Sequence, residues 1–468
     1  MKYRTEKDTL GEVRVPFDAY YGAQTQRAVE NFPVSRLRLQ PTFIRAQAII
    51  KLAAAKANIA SGRLNKKIGK AIIVAAEEIL TGRFSDQFVV DVFQAGAGTS
   101  QNMNMNEVLA NRAIEILQGI RGDYRLVHPN DHPNMSQSTN DTIHVAIHIA
   151  GYTEITGCLL PAVEKLESAL RKKSYEFEAI VKTGRTHLQD AVPVRLGQEF
   201  GAYSTMIGHA YDRIEEATDR LRELCIGGTA VGTGLNTDPD FRSRILRQIN
   251  KITGYQFFAA VDMFEAMQSF DPVLAVCGAI RTLVTSLRKI ADDLRLLTSG
   301  PRTGLGEIHL PAVQPGSSIM PGKVNPVLPE MIDMICFHSL GCDATILAAA
   351  QAGQLELNVM MPVITYNFLL EIEILSNGIR AFTEKCITGI KANEKVCLRF
   401  SELSPSIATA LVDHIGYQHA AELAKEALDK DVTIRELAEA KKILDSETLS
   451  KLLDVRRMTE DPAYPKKQ

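Results

Sequence analysis

Between Pro315 and Pro326 the chain reads Gly316-Ser317-Ser318-Ile319-Met320-Pro321-Gly322-Lys323-Val324-Asn325. Two hydroxyls, an ammonium and a carboxamide stand close together, a set suited to gripping a small anion and taking a proton from it. The flanking prolines and two glycines exclude helix or strand interior. A long helix-like pattern follows, so the stretch reads as a loop held on a rigid support, and chemistry gathered on such loops is more often functional than structural. Two alternatives fail on spacing. A phosphate-cradling P-loop needs four residues between its glycines and Ser or Thr after the lysine, whereas five separate Gly316 from Gly322 and Val324 follows Lys323. A nucleophile elbow needs G-x-S-x-G, which Ser318-Ile319-Met320 does not supply.

Three more segments share this polar, turn-marked character: Gly96-Ala97-Gly98-Thr99-Ser100-Gln101-Asn102-Met103-Asn104, Ser136-Gln137-Ser138-Thr139-Asn140-Asp141, and Lys182-Thr183-Gly184-Arg185-Thr186-His187-Leu188-Gln189-Asp190. Each precedes a helical run. Free N–H groups at a helix N-terminus, with Ser and Thr hydroxyls beside them, make a good carboxylate receptor. Any one of the three, taken singly, is more readily read as an N-cap.

Long helices must hold these turns. Ile68, Ile72, Ala75 and Ile79 share a face, and Gly82 closes that run as a C-cap would. Ile207, Tyr211, Ile214, Ala217, Leu221 and Leu224 step by threes and fours, as do Leu274, Cys277, Ile280, Leu283, Leu287, Ile290, Leu294 and Leu297. Two more patterns span 328–352 and 358–388, and Pro161 and Pro362 predict kinks or helix starts. Residues 3–22 suit short strands or an extended arm, and 84–140 turns polar. The fold class is mainly α, in three parts: an N-terminal mixed or helical domain over 1–140, a central long-helix bundle over 141–393 carrying the 315–326 loop, and a small helical domain over 394–468 ending in a polar tail. Helices apolar on more than one face favour association of chains.

The 468 residues are 45% hydrophobic and 23% charged with net charge −2, which argues against a nucleic-acid or anionic-membrane surface. No signal peptide or membrane span is expected, and seven scattered cysteines without C-x-x-C suit buried thiols in the reducing cytoplasm. His128 and His132 stand at metal-pair spacing, but Pro129 and Pro133 break the helix such a pair needs, so no metal is expected. His144 and His148 read as packed polar residues.

The four polar turns, in this order, resemble the aspartase/fumarase superfamily, and the match runs from about Tyr3 into the last sixty residues. The resemblance implies β-elimination from a small succinate-like dicarboxylate without metal or organic cofactor, in a homotetramer whose active sites are shared between chains. The proton beside a carboxylate is very weakly acidic, and catalysis consists largely of stabilising the aci-carboxylate left behind. By that resemblance Ser317 is the general base, an alkoxide on a mobile loop that nearby N–H groups and Lys323 must favour. Thr99, Ser138, Thr139 and Ser318 bind the carboxylate that gathers charge. Lys323, Asn325 and Thr186 take the other, Met320 lines the site, and Asn140 and His187 face the leaving group. Glu330 corresponds to the acid that fixes the histidine tautomer. The segment at 128–132 resembles a peripheral anion site of fumarases.

Within the superfamily, Gly96-Ala97-Gly98-Thr99-Ser100, Ser138-Thr139-Asn140-Asp141, Gln189-Asp190-Ala191-Val192-Pro193 and Asn325-Pro326-Val327-Leu328-Pro329-Glu330 favour the aspartase branch, which releases ammonia, over fumarases. His128-Pro129-Asn130-Asp131 and Ile415-Gly416-Tyr417 fit fumarases at least as well, and Met361 and Thr142-Ile143-His144 depart from both.

Overall fold

A computed structural model describes residues 2–460; the expected polar tail extends past them. Helix accounts for 61% of the chain, and the strands are confined to two-stranded sheets, so the class is mainly α. The chain forms two compact units. The first comprises Met1–Pro161, Asp212–Thr282 and Phe337–Ser376, and the second Ala162–Tyr211, Leu283–Cys336 and Asn377–Gln468.

The first unit opens with the antiparallel hairpin β1 (Tyr3–Asp8) and β2 (Gly11–Pro16), turning at Gly11 with φ 117°. After α1 (Ala23–Asn31) comes α2 (Pro41–Ala60), started by Pro41 at its first turn and buried on most of its surface. It packs against α3 (Lys66–Leu80), α5 (Thr139–Glu154) and α8 (Phe241–Thr253). The α3 ladder ends as its periodicity implies: Gly82 takes φ 91° and its N–H reaches the Ile79 carbonyl.

The polar 84–140 stretch holds a surprise in α4 (Thr99–Ile116), which is buried along nearly its whole length despite four asparagines. Its polar side chains replace water for distant backbone. Asn104 donates to the Gln87 carbonyl and accepts from the Val89 N–H; Asn111 serves the Tyr20 carbonyl and the Gly122 N–H in the same way. Glu107 accepts from the N–H groups of Gly22, Gln24 and Thr25, capping an α1 that has no cap of its own. Burial lifts this carboxyl to about 7 even against those bonds. His144 and His148, fully buried in α5, each hydrogen-bond one carbonyl, of Ser269 and Glu223, and burial pulls them down to about 4 and about 3.

A π-helical turn, Ile155–Leu159, joins α5 to α6 (Leu160–Glu176) just before Pro161, whose missing N–H and bulky ring disturb the regular ladder there. In the second unit α6 leads to a hairpin, β3 (Val181–Thr186) and β4 (Gln189–Arg195), then α7 (Leu196–Thr218), which passes into the first unit at Asp212. After the short α9 (Met263–Gln268), the rods α10 (Asp271–Leu297), α11 (Val327–Ala350) and α12 (Met361–Lys385) each contribute residues to both units. Pro362 falls in the first turn of α12. Short helices beyond Glu394 enclose Ile407, Leu411, Leu423, Leu437 and Leu453.

All seven cysteines are free and six are buried. By length and composition alone, two helical stretches could cross a membrane, Thr139–Glu176 and Val327–Ala350, a test that the core helices of globular proteins also pass. The first is mostly buried, as a core helix is. The second exposes Met334, Phe337, Leu340 and Leu347.

Candidate active site

In the first unit, two of the polar turns become adjoining helix N-termini. Gly98, with φ 78°, stands before α4, and a Cβ there would lie 3.2 Å from Ile143 in the first turn of α5. The preceding loop is tied down by the Ala97 N–H, which donates to the Val359 carbonyl. Thr99 is exposed at the start of α4. Ser138 is the N-cap of α5: its Oγ accepts from the Asn140 N–H, and Asp141 returns the bond to the Ser138 N–H. The N-cap reading of this segment is therefore literally realised, and Ser138 keeps only its O–H for a ligand.

Asp141 does more than cap. Its second oxygen accepts from the N–H groups of Gly227 and Thr229, tying a loop to the helix start. Burial pushes this carboxyl up to about 6. Asn140 Nδ2 donates one N–H to the Ala230 carbonyl at 2.7 Å, which leaves its second N–H and Oδ1 open. Thr139 Oγ1 accepts from Asn102 Nδ2 at 3.0 Å.

In the second unit, the Ser317 loop is exposed and bonds chiefly to itself. Ser317 Oγ accepts from the backbone N–H groups of Met320 at 2.9 Å and Ile319 at 3.2 Å. Those are donors aimed at an oxygen that would carry charge as an alkoxide. Two hydrogen bonds to a charged acceptor contribute about 3 to 6 kcal/mol, or about two to four pKa units, which is less than a serine hydroxyl needs. Lys323 was expected to help here, but its Nζ donates to Asn325 Oδ1 at 2.7 Å instead. Asn325 Nδ2 donates on to the Gly316 carbonyl, and the Gly316 N–H to the Lys323 carbonyl, closing the loop base. A Cβ on Gly316 would fall 2.5 Å from that carbonyl oxygen, so only glycine fits. Lys323, Asn325 and Glu330 line one cavity of about 520 Å³ together with Arg295 and His309. Ser318 and Met320 are exposed at the loop tip.

Thr186 and His187 sit at a hairpin tip, where a helix N-terminus was expected. His187 and Leu188 form the two-residue turn with φ 55° and 59°. The pair matches the right-handed strand twist as a type I′ turn does, so helix-dipole attraction for carboxylate does not apply at 182–190. Beneath the tip, fully buried Glu307 pairs with Lys182 at 3.0 Å and Arg185 at 2.8 Å, while Lys182 also reaches Glu199. This network anchors the hairpin. The expected bond between Glu330 and His187 is not made within the chain: among the described residues neither side chain has a hydrogen-bond partner.

A family model described as Lyase matches residues 11–341, and one described as Fumarase C C-terminus matches 407–460. The chain belongs to the aspartase/fumarase superfamily. Superfamily relatives of two activities stand equally near. An aspartate ammonia-lyase of Bacillus subtilis is 48% identical over 98% of this chain and 96% of its own length. A class II fumarate hydratase of Halobacterium salinarum is 50% identical over 98% and 97%. Among solved structures, a class II fumarase of Schistosoma mansoni superposes with a TM-score of 0.94 at 36% identity, covering 98% of this chain and 99% of that one.

Within this aspartase/fumarase chain, the layer beneath Thr139 went unnoticed in the sequence. Lys51, 1% exposed on α2, donates to Asn134 Oδ1 at 2.9 Å, and burial lowers its pKa to about 7. A signal was available: Lys51 is a lone charge within Ile49-Ile50-Lys51-Leu52-Ala53-Ala54-Ala55. At the suspected metal pair, His132 Nδ1 accepts from the His128 N–H, closing a turn.

Proposed function

We propose that this superfamily lyase deaminates L-aspartate reversibly to fumarate and ammonia, with Ser317 as the base. The observation that carries the elimination is the pair of N–H groups directed at Ser317 Oγ. Ser317 takes the proton from the carbon beside one carboxylate, and the charge flows into that carboxylate. Thr99, Ser138, Thr139 and Ser318 donate to it, while Thr186, Lys323 and Asn325 hold the other carboxylate with Met320 alongside. The remaining stabilisation that Ser317 needs comes from closure of the loop over substrate, which removes water from around the anion.

Ammonia as the leaving group is supported by the Ala97, Val192 and Pro329 motif residues and by the B. subtilis relative. Asn140, with one N–H on the Ala230 carbonyl, keeps its second N–H and its Oδ1 and can face either leaving group. The second reading, malate–fumarate interconversion, is favoured by His128-Pro129-Asn130-Asp131 and by the H. salinarum relative.

The exposed apolar stripe of α11 supports assembly into a homotetramer, in which residues of the two units meet across chains and Glu330 of one chain serves His187 of another. The three-part division at 140 and 393, the absence of a metal or organic cofactor, and a cytoplasmic location belong to the same reading. Following fumarate absorbance with L-aspartate and L-malate in parallel tests it. Turnover of malate with aspartate untouched would overturn the ammonia assignment, and no fumarate from either would overturn both readings.

A further inference from the structure

Lys51 is an expensive residue to bury. Its ammonium meets one amide oxygen, and the charge nearest to it is the Asp141 carboxylate. A methionine of similar length would avoid the desolvation cost altogether. The use of the charge lies in hydrogen-bond direction. Below its lowered value of about 7, Lys51 is an ammonium that can only donate, so there Asn134 must turn its Oδ1 toward it. That same oxygen is shared with Asn102 Nδ2 and Asn106 Nδ2, each at 3.2 Å, so both neighbours must present their NH2 groups to it. Asn102, 1% exposed, then spends its second N–H on Thr139 Oγ1 at 3.0 Å.

An amide is otherwise free to flip end for end. If Asn102 flipped, its Oδ1 would accept the Thr139 O–H and turn that proton inward. With the order Lys51 to Asn134 and Asn102 to Thr139 fixed, the threonine oxygen already accepts a bond. Its own hydrogen, bonded to nothing among the described residues, is left for a ligand on the half-buried open side.

We propose that Lys51 is a positioning residue that sets the polarity of this amide chain, so that Thr139 stands as an obligate donor to the substrate carboxylate. The proposal rests on the placement of Thr139 in the carboxylate site given above. Fumarate serves both candidate activities, so its binding to the full-length protein, measured by calorimetry, separates the two claims.

Lys51→Met should keep an equal or higher Tm yet bind fumarate about tenfold more weakly, the loss of one charge-assisted hydrogen bond. Thr139→Val should lose a similar factor, and the double variant no more than the larger single loss. The defect should lower kcat as well as raise KM, because that carboxylate gains charge during the reaction. Fumarate affinity unchanged in Lys51→Met, or losses that multiply in the double variant, would overturn the proposal. Should Lys51→Met not fold, Asn102→Ala breaks the chain one step nearer and carries the same cycle. A wild-type protein that binds no fumarate and releases none from aspartate or malate would defeat the functional reading instead.

Discussion

The two groups of candidate residues, one in each compact unit, are built on opposite plans. Around Thr139 the backbone is helical, Asp141 accepts from three N–H groups, and buried amides stand behind the hydroxyl. Around Ser317 the chain is exposed, and its polar groups satisfy one another across a loop closed by Gly316. The first half is finished before a ligand arrives and the second is not. On the proposed reading, recognition of a carboxylate falls to the helical elements and proton removal to the exposed loop.

Substitutions should break this contrast in unequal ways. The largest effect is expected for Ser317→Ala, which should cut turnover by about 10³ to 10⁴, the upper range for a general base. Its melting temperature should stay within the small range of surface changes. Unchanged turnover would remove Ser317 from the mechanism. Asp141→Ala tests the other half. It strands the N–H groups of Ser138, Gly227 and Thr229, and should lower stability by about 3 kcal/mol in chemical denaturation. A loss confined to activity would show that the carboxylate does not hold the fold.

Gly316→Ala sharpens the comparison. The new Cβ meets the Lys323 carbonyl, so the loop base must open, and activity should drop about a hundredfold for a displacement near 1 Å, with little change in Tm. The last test is pH. His144 and His148 are held neutral, with values of about 4 and about 3 against an ordinary 6.5. The unfolded chain therefore binds more protons than the folded one between those values. Stability is present above pH 6.5 and is lost as pH falls through 4 toward 3, at up to about 1.4 kcal/mol per pH unit for each histidine. Replacing both histidines should flatten that acid limb; an unaltered limb would assign it to other groups.

Legibility followed the range of the interactions. The rods α10, α11 and α12 were readable because their apolar period is local, and Gly82 and Pro362 marked ends by backbone chemistry alone. Helix α4 was not, because Asn104, Glu107 and Asn111 look like surface residues until the loops they cap fold onto them. The hairpin at 182–190 was missed because its turn, His187-Leu188, has neither Gly nor Asn; the buried Lys182–Glu307–Arg185 network holds it instead. The two helix N-termini at Thr99 and Ser138 were legible from Gly98 and the Ser138–Asp141 capping pair. That Lys323 would bond Asn325 and not approach Ser317 was set by loop closure, which no spacing reveals.

The Lys323–Asn325–Gly316 chain of bonds has a thermodynamic consequence. A carboxylate arriving at Lys323 can take either of the two N–H groups that Asn325 leaves unused, or compete with Asn325 Oδ1 for the third. Where it takes the third, binding is an exchange of one oxygen for another, and the affinity measured is smaller than the strength of the new contact. The displaced amide is then free to release the Gly316 carbonyl, which unfastens the segment carrying Ser317. An anion that claims that N–H should loosen the loop, and its binding would be felt first as increased mobility at Ser317.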